Sequence, residues 1–239
     1  MWSICKKELR QFFSSLTGYI AILVFLVLNG LFLFVFPDTN VFDAGYASLE
    51  TFFSTAPWIL LLLIPAITMR SFSEEFKGGT FEILQTKPLT RGQIIFGKYF
   101  ASLIIALIAI LPTLIYVYTL SKLSTEGVDA GGIAGSYTGL FLLAAVFTAI
   151  GICCSSFTNN AVVAFLLSAF ACFMVYSAFE AISRIPAFQA GADYYIEMLG
   201  IDHHYKSISR GVIDTRDVIY FITVILFFIF LTARNLVKR

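Results

Sequence analysis

The chain has 239 residues, of which 59% are hydrophobic and only 13% are charged, and its formal net charge is +1. A soluble domain carries about 25% charged residues to solvate its surface, so the composition excludes a soluble globular protein and predicts a surface that faces lipid. No basic patch of the kind that neutralises phosphates is present, which argues against nucleic acid as a partner.

The first predicted element is an amphipathic helix over Trp2–Leu16. Its apolar residues recur at the spacing of one helical face, and the basic residues lie off that face. Such a helix lies in the headgroup plane of a bilayer. It serves either as a lever that couples cytoplasmic events to the first span or as a simple interfacial anchor, and this segment alone favours the anchor. The apolar face comprises Cys5, Leu9, Phe12, Phe13 and Leu16.

Six apolar segments then follow, each near the roughly 20 residues that a membrane-spanning helix needs. Because Pro57 removes a helical hydrogen bond within the second segment, we expect a kink or a break there. The predicted fold class is an all-α polytopic membrane protein of one domain, with six transmembrane helices, an N-terminal interfacial helix and a cytoplasmic coupling helix. The predicted spans are Gly18–Phe36, Leu49–Met69, Tyr99–Leu120, Tyr137–Phe157, Ala161–Ile182 and Val218–Ala233.

Positive charge predicts the side of the membrane on which each loop lies. If both termini and the loops after spans two and four share one side, that side holds 11 of the 16 Lys and Arg residues. The positive-inside rule then places both termini and the loop between spans two and three in the cytoplasm. These basic residues are Lys6, Lys7, Arg10, Arg70, Lys77, Lys87, Arg91, Lys98, Arg234, Lys238 and Arg239.

A polar, charge-mixed segment, Glu74–Lys98, separates the second span from the third. Gly78 and Gly79 break the chain, Thr80 is predicted to cap a short helix, and Pro88 ends that helix. A short helix held crosswise at the end of a membrane bundle has the shape of a docking element.

A second helix is predicted to start at Thr90. Gln93 follows three residues later, and this spacing is typical of a capping box. The helix then runs directly into the third span, so a force applied to the segment would reach the bundle.

Catalytic and metal-binding patterns are weak in this sequence. Ionisable residues are essentially absent at mid-span, which argues against a proton-coupled transporter and against an intramembrane enzyme. His203 and His204 follow Asp202, but a metal site needs three or four convergent ligands, so a solvated or headgroup-facing loop is favoured. No phosphate-binding loop is present, so no cofactor is expected and ATP, if used, is bound by a separate chain.

The segment between the second and third spans resembles the signature of ABC-2 type transporter permeases. The entry into the first span, KKELRQFFSSLTGYI, and the stretch SRGVIDTRDVIYF before the sixth span are also similar to that family. Within the family, the chain looks most like the gliding-motility-associated permease subunit, which implies that it lies in a bacterial cytoplasmic (inner) membrane. The matching signature residues are Glu75, Gly79, Thr80, Glu82, Leu84, Pro88, Gly97 and Lys98.

The resemblance implies a coupling helix, Thr80–Lys87, on which a cytoplasmic ATP-binding cassette subunit docks. On such a helix Glu82 lies in the first turn, where its charge suits the helix dipole. Phe81 and Leu84 share one face and could fill a groove in a partner. The predicted docking residues are therefore Thr80, Phe81, Glu82, Leu84 and Pro88.

The predicted function is that of a permease subunit that exports or extrudes a substrate with ATP hydrolysed by a separate subunit. The expected partners are that ATP-binding subunit, a second permease subunit (identical or different) and the lipid bilayer. The alternative is a non-transporting scaffold that anchors an ATPase or a surface machine. A channel is a weaker third interpretation, because no ring of pore-lining charges is visible.

Overall fold

The computed structural model describes residues 1–37, 48–86, 88–124, 129–185, 193–211 and 214–237. Every regular element among them is helical. A 3-10 turn over Leu111–Thr113 and a π turn over Met174–Ala178 interrupt two of the long helices. The α-helices are α1 Trp2–Phe13, α2 Leu16–Phe34, α3 Glu50–Thr68, α4 Arg70–Lys77, α5 Thr80–Gln85, α6 Arg91–Ile110, α7 Leu114–Leu123, α8 Ala130–Phe157, α9 Ala161–Phe173, α10 Phe179–Ser183, α11 Asp193–Glu197, α12 Ile201–Ser209 and α13 Thr215–Val237.

Six helical stretches in the described residues are long and apolar enough to cross a membrane, which confirms the predicted all-α, six-span fold class. We call the end of the bundle with α1, α4 and α5 the α5 side, and the opposite end the α12 side. The helix predicted to start at Thr90 and to run into the third span is confirmed, because the Thr90–Gln93 capping box is present and α6 starts at Arg91. The stretches are Leu16–Phe34, Glu50–Lys77, Arg91–Leu123, Ala130–Phe157, Ala161–Ser183 and Thr215–Val237.

Helix α8 lies at the centre of the bundle and packs against α3, α9, α12 and α13. Small residues let its neighbours approach closely, as is usual where lipid gives helices no hydrophobic reason to associate. A Cβ atom on Gly139 would lie 3.1 Å from Ile208 Cγ2 of α12, and one on Gly151 would lie 2.9 Å from Thr68 Cβ of α3. The core therefore depends on these glycines at two helix crossings.

Pro57 does not break α3, which continues from Glu50 to Thr68. Proline has no N–H, so the Phe53 carbonyl four residues earlier loses its helical partner. The Tyr205 hydroxyl of α12 donates to this carbonyl at 2.6 Å. The break expected from the sequence is absent, and a donor from another helix satisfies the carbonyl that the proline leaves free.

Replacing Tyr205 by Phe is expected to lower the free energy of unfolding by about 1–3 kcal/mol, because a buried carbonyl loses a hydrogen-bond donor. In a Pro57→Ala background, the N–H of residue 57 returns to Phe53, and the same Tyr205→Phe change should cost much less. Unfolding of the purified protein by SDS titration measures all four variants of this cycle. An equal cost in both backgrounds would contradict the link between Tyr205 and Pro57.

The segment between the fifth and sixth spans contains α11 and α12, and His204 is not in a solvated loop. Its side chain is buried and lies 2.7 Å from Asp217 Oδ1 of α13, through Nδ1. Its Nε2 lies 2.9 Å from the Met198 carbonyl. The solvated-loop interpretation is wrong for His204, because this pair fixes α12 against α13.

Candidate functional site

Four charged side chains meet between α1, α4 and α6 on the α5 side. We call Lys7, Glu8, Glu75 and Lys98 the ionic cluster. The Lys98 ammonium is completely buried and donates to Glu8 Oε1 at 2.8 Å and to the Ser71 carbonyl at 2.5 Å. It also lies 3.0 Å from Glu75 Oε1, which accepts a second bond from Lys7 at 2.7 Å. One carboxylate oxygen of α4 thus joins a lysine of α1 to a lysine of α6.

The ionic cluster is balanced, with two ammonium groups and two carboxylates. Burial of a charge is tolerated only when it is paired and hydrogen-bonded, and Lys98 meets this condition through three oxygen atoms and the Phe72 ring, 5.0 Å away. Partial burial lowers the pKa of Lys7, but the hydrogen bonds and charges of Glu75 and Glu8 outweigh it and raise that pKa above its ordinary value. Lys7 therefore stays protonated and keeps the cluster neutral.

Gly97 explains how α1 comes close enough to join the ionic cluster. A Cβ atom there would lie 2.9 Å from Ile4 Cβ and 3.0 Å from the Met1 carbonyl, so any larger residue would push α1 away from α6. Ile4 and Cys5 are buried in this contact. Part of the predicted apolar face of α1 therefore packs on protein, while Leu16 begins α2 and is exposed.

Ser155 of α8 holds the junction between α3 and α4. Its hydroxyl donates to the Met69 carbonyl at 3.1 Å and accepts from the N–H groups of Phe72 and Ser73 at 3.0 and 3.2 Å. One side chain thus binds three backbone groups where α3 passes into α4. Sequence reasoning missed this residue, and the only signal was a serine pair, with Ser156, at the end of an apolar span.

The N-cap of helix α5 lies one residue earlier than predicted. Gly79 is its N-cap, with a left-handed φ of 66° that favours glycine, and Thr80 is its first residue. The Thr80 hydroxyl donates to the Glu75 carbonyl at 3.4 Å, so it fixes α5 against α4 instead of capping α5. The helix ends at Gln85, and Lys87, the predicted end, lies outside the described residues.

The two faces of α5 have different surroundings. Phe81 is only 5% exposed and packs edge-on against Phe76, with ring centroids 5.0 Å apart. Leu84 is partly buried beside it. Glu82 is exposed, and the Ile83 side chain next to it is 62% exposed. The face shared by Phe81 and Leu84 therefore contacts this protein's own α4, and the outward face presents an acid and an aliphatic side chain.

The structure brings some signature residues together and keeps others apart. Glu75, Gly97 and Lys98 meet at the ionic cluster, and Thr80 is tied to it through the Glu75 carbonyl. The outward-facing Glu82 and the exposed Pro88 make no contact with it. Sequence reasoning missed Ile83, although an aliphatic residue on the face opposite to Phe81 and Leu84 was a signal for it.

An all-helical bundle with six candidate spans, a short helix at one end and a buried ionic cluster behind that helix defines a polytopic membrane protein. A family model described as ABC-2 family transporter protein matches residues 2–233, so the chain belongs to the ABC-2 transporter family. The family resemblance inferred from the sequence is thereby confirmed. Permeases of this family are membrane subunits, and a separate subunit hydrolyses ATP. No curated protein matches the chain.

Proposed function

We propose that this chain is the permease subunit of an ABC-2 type transporter and that its ATP-binding cassette subunit docks on the outward face of α5. The proposal rests on the way in which α5 is held: its inner face is fixed to α4 and its outer face is exposed. The buried Phe81 and the Thr80 hydroxyl fix the helix to α4, while Glu82 and Ile83 remain free for a partner. An acid beside an exposed aliphatic side chain suits a groove with an apolar floor and a basic rim.

Two connections lead from α5 into the membrane. Helix α4 carries Glu75, so a displacement of α5 acts on Lys98 of α6 and on Lys7 of α1. Helix α4 also continues into α3 through the junction that Ser155 of α8 holds. A partner that binds α5 differently in its two nucleotide states would shift these helices, because a ligand moves an equilibrium only by its differential affinity for the states.

The predicted docking residues divide into two roles under this proposal. Glu82 and the exposed Thr80 and Pro88 stay as docking contacts, and Ile83 joins them. Phe81 and Leu84 position the helix from its inner face, because they pack against α4. A docking contact should affect binding of the partner alone, whereas a positioning residue should also affect the stability of the fold.

The distribution of basic residues supports an orientation with α5 and both termini in the cytoplasm of a bacterial cell. Among the residues that the structure describes, the α5 side carries most of the Lys and Arg side chains. Three of the candidate spans are mostly unburied in the bundle: 22% of the apolar window is buried in α2 and in α9–α10, and 17% in α13, which leaves room for lipid and for a second permease subunit. We propose a pair of permease subunits with a pair of ATP-binding subunits.

The connection of α5 to the spans favours a permease over a non-transporting scaffold. A scaffold needs a docking surface but no buried ionic link from that surface to α1 and α6.

A finer proposal, that the chain is the gliding-motility-associated permease subunit GldF, rests on the sequence pattern alone. A strain that lacks the chain and still glides would contradict that finer proposal.

Co-purification tests the proposal. The tagged chain, purified from its own cells after membrane extraction, should retain a P-loop ATPase, and the complex should hydrolyse ATP. Vesicles that contain the complex should then lose or accumulate substrate only when ATP is present, which distinguishes a permease from a scaffold. A chain that purifies without any ATP-binding subunit would contradict the proposal.

A further inference from the structure

A cavity of about 760 Å³ opens on the α12 side, far from α5. It lies between the start of α3, the start of α8, the π turn and α12, and its volume falls within the range of about 300–1,000 Å³ of small-molecule sites. The ends of the spans meet the headgroup region of a bilayer here. The cavity is therefore open to amphiphiles from the membrane.

One wall of the cavity is aromatic. Phe53, Trp58, Tyr176 and Tyr205 line it, and the Trp58 and Tyr176 rings pack edge-on with centroids 5.4 Å apart. The Tyr205 hydroxyl is already used by the Phe53 carbonyl. This wall therefore offers ring surface for an apolar tail, and the Trp58 ring, which is 48% exposed, offers a face for a cation.

Three of the charged lining residues are already paired with one another. Lys206 binds Asp202 at 2.5 Å and Glu180 at 3.2 Å, and Glu180 also binds Arg184 at 2.6 Å. Together with Arg184, these side chains carry two positive and two negative charges, so their net charge is zero. Asp129, a fourth lining acid, accepts from the N–H of Gly132 and caps α8. None of these groups needs a ligand.

Two further lining charges, Glu50 and Arg210, make no ion pair within the described residues. They come from different walls, because Glu50 is the first residue of α3 and Arg210 is the C-cap of α12. The cavity therefore contains one carboxylate and one guanidinium group that form no ion pair with each other. A ligand that carries both a positive and a negative charge would be complementary to these two groups.

We propose that this cavity binds a zwitterionic amphiphile, an amine-bearing phospholipid, with its ammonium at Glu50 and Trp58 and its phosphate at Arg210. The acyl chains lie along the aromatic wall. This site is independent of α5, because no lining residue belongs to the ionic cluster or to the proposed docking face.

The chain has two tryptophans, Trp2 and Trp58, so a Trp2→Phe variant leaves Trp58 as the reporter within the cavity. The purified full chain is titrated in detergent with dihexanoyl phosphatidylethanolamine, and Trp58 fluorescence is recorded. We expect a saturable change. Dihexanoyl phosphatidylglycerol, which lacks the ammonium, should bind about tenfold more weakly, as expected for the loss of one charge-assisted contact.

Two cavity variants and two matched controls test the assigned contacts. Glu50→Gln and Arg210→Gln should each weaken phosphatidylethanolamine binding by about tenfold. Asp193→Asn and Lys122→Gln, which change charge on the same side outside the cavity, should bind like the parent. Size-exclusion elution and far-UV circular dichroism identify variants that have not folded. For such a position, Glu50→Asp or Arg210→Lys replaces the Gln variant and should also weaken binding.

Three results would overturn the proposal. The first is equal binding of the ethanolamine and glycerol lipids, which would remove the role of the ammonium. The second is a fluorescence change that is the same in folded cavity variants and in controls, which would show unspecific partition of the lipid. The third is equally tight binding of glycerophosphoethanolamine, which has no acyl chains and would identify a soluble zwitterion as the ligand.

Discussion

Replacing Lys98 by Met is expected to lower the free energy of unfolding by about 3–5 kcal/mol, the range for breaking a buried ion pair by removal of one partner. Lys98 is completely buried, and its loss removes a hydrogen bond from Glu8, one from the Ser71 carbonyl and an ion pair from Glu75. Glu75 Oε2 already lacks a hydrogen-bond partner among the described residues. The remaining carboxylates would share one ammonium, that of Lys7.

The Lys98→Met variant should also lose the coupling between ATP hydrolysis and transport. Lys98 is the group through which α4 contacts α6, so without it a movement of α5 no longer reaches the third span. We expect the reconstituted complex to retain ATP hydrolysis and to lose most of its ATP-dependent transport. The measurements are SDS-induced unfolding of the chain and transport by vesicles at matched protein content.

Two controls separate the ionic cluster from a general effect of charge. Lys6→Met removes an exposed lysine from the same part of the chain and should change stability by less than about 0.5 kcal/mol. The double variant Lys98→Met/Glu8→Gln removes one charge of each sign and leaves the Lys7–Glu75 pair, which is 2.7 Å apart. It should recover part of the lost stability. A double variant less stable than Lys98→Met would contradict the view that charge balance holds this site together.

Reversing the charge of Glu82 is expected to weaken docking of the ATP-binding subunit by about 10- to 100-fold, because juxtaposed like charges at an interface cost several kcal/mol. Glu82 is exposed and makes no ion pair within the described ranges. The Glu82→Arg variant should therefore fold and insert normally, with a stability change within about 0.5 kcal/mol. Partner affinity and partner-dependent ATP hydrolysis should fall together.

The matched control for Glu82→Arg is Asp193→Arg. It makes the same change of charge in α11, on the opposite side of the bundle, and should leave partner binding unchanged. Ile83→Ala shortens the neighbouring aliphatic side chain and should also weaken docking. Partner-stimulated hydrolysis that is unaffected in both Glu82→Arg and Ile83→Ala would contradict docking on this face.

The all-α fold class and the six spans were predictable from the sequence because apolar length alone determines which helices can cross a bilayer. The start of α6 was predictable for another local reason, since the Thr90–Gln93 capping box is complete within four residues. The continuity of α3 was not predictable. The Phe53 carbonyl, which Pro57 leaves without a helical donor, accepts a hydrogen bond from Tyr205, far along the chain.

The sequence identified the segment that contains the candidate site, but it did not predict which side chains of that segment contact one another. The order of signature residues selected Glu75 and Lys98, and only the structure shows that they meet through a helix, α1, that lies elsewhere in the sequence. The sequence also did not show that Phe81 points towards α4, because this orientation depends on a contact with another helix. A helix of this length has two possible faces, and the contact with Phe76 of α4 determines which one is buried.

Site-specific photocross-linking tests the central claim, docking on α5, most directly. The four native cysteines are buried, so Ile83→Cys introduces an accessible thiol that a benzophenone maleimide can label. In the co-purified complex, light should join this position to a chain that mass spectrometry identifies by its P-loop. The same label at Lys122→Cys, on the α12 side, should give no such product. A complex that yields the P-loop adduct from Lys122→Cys, or none from Ile83→Cys, would contradict docking on α5.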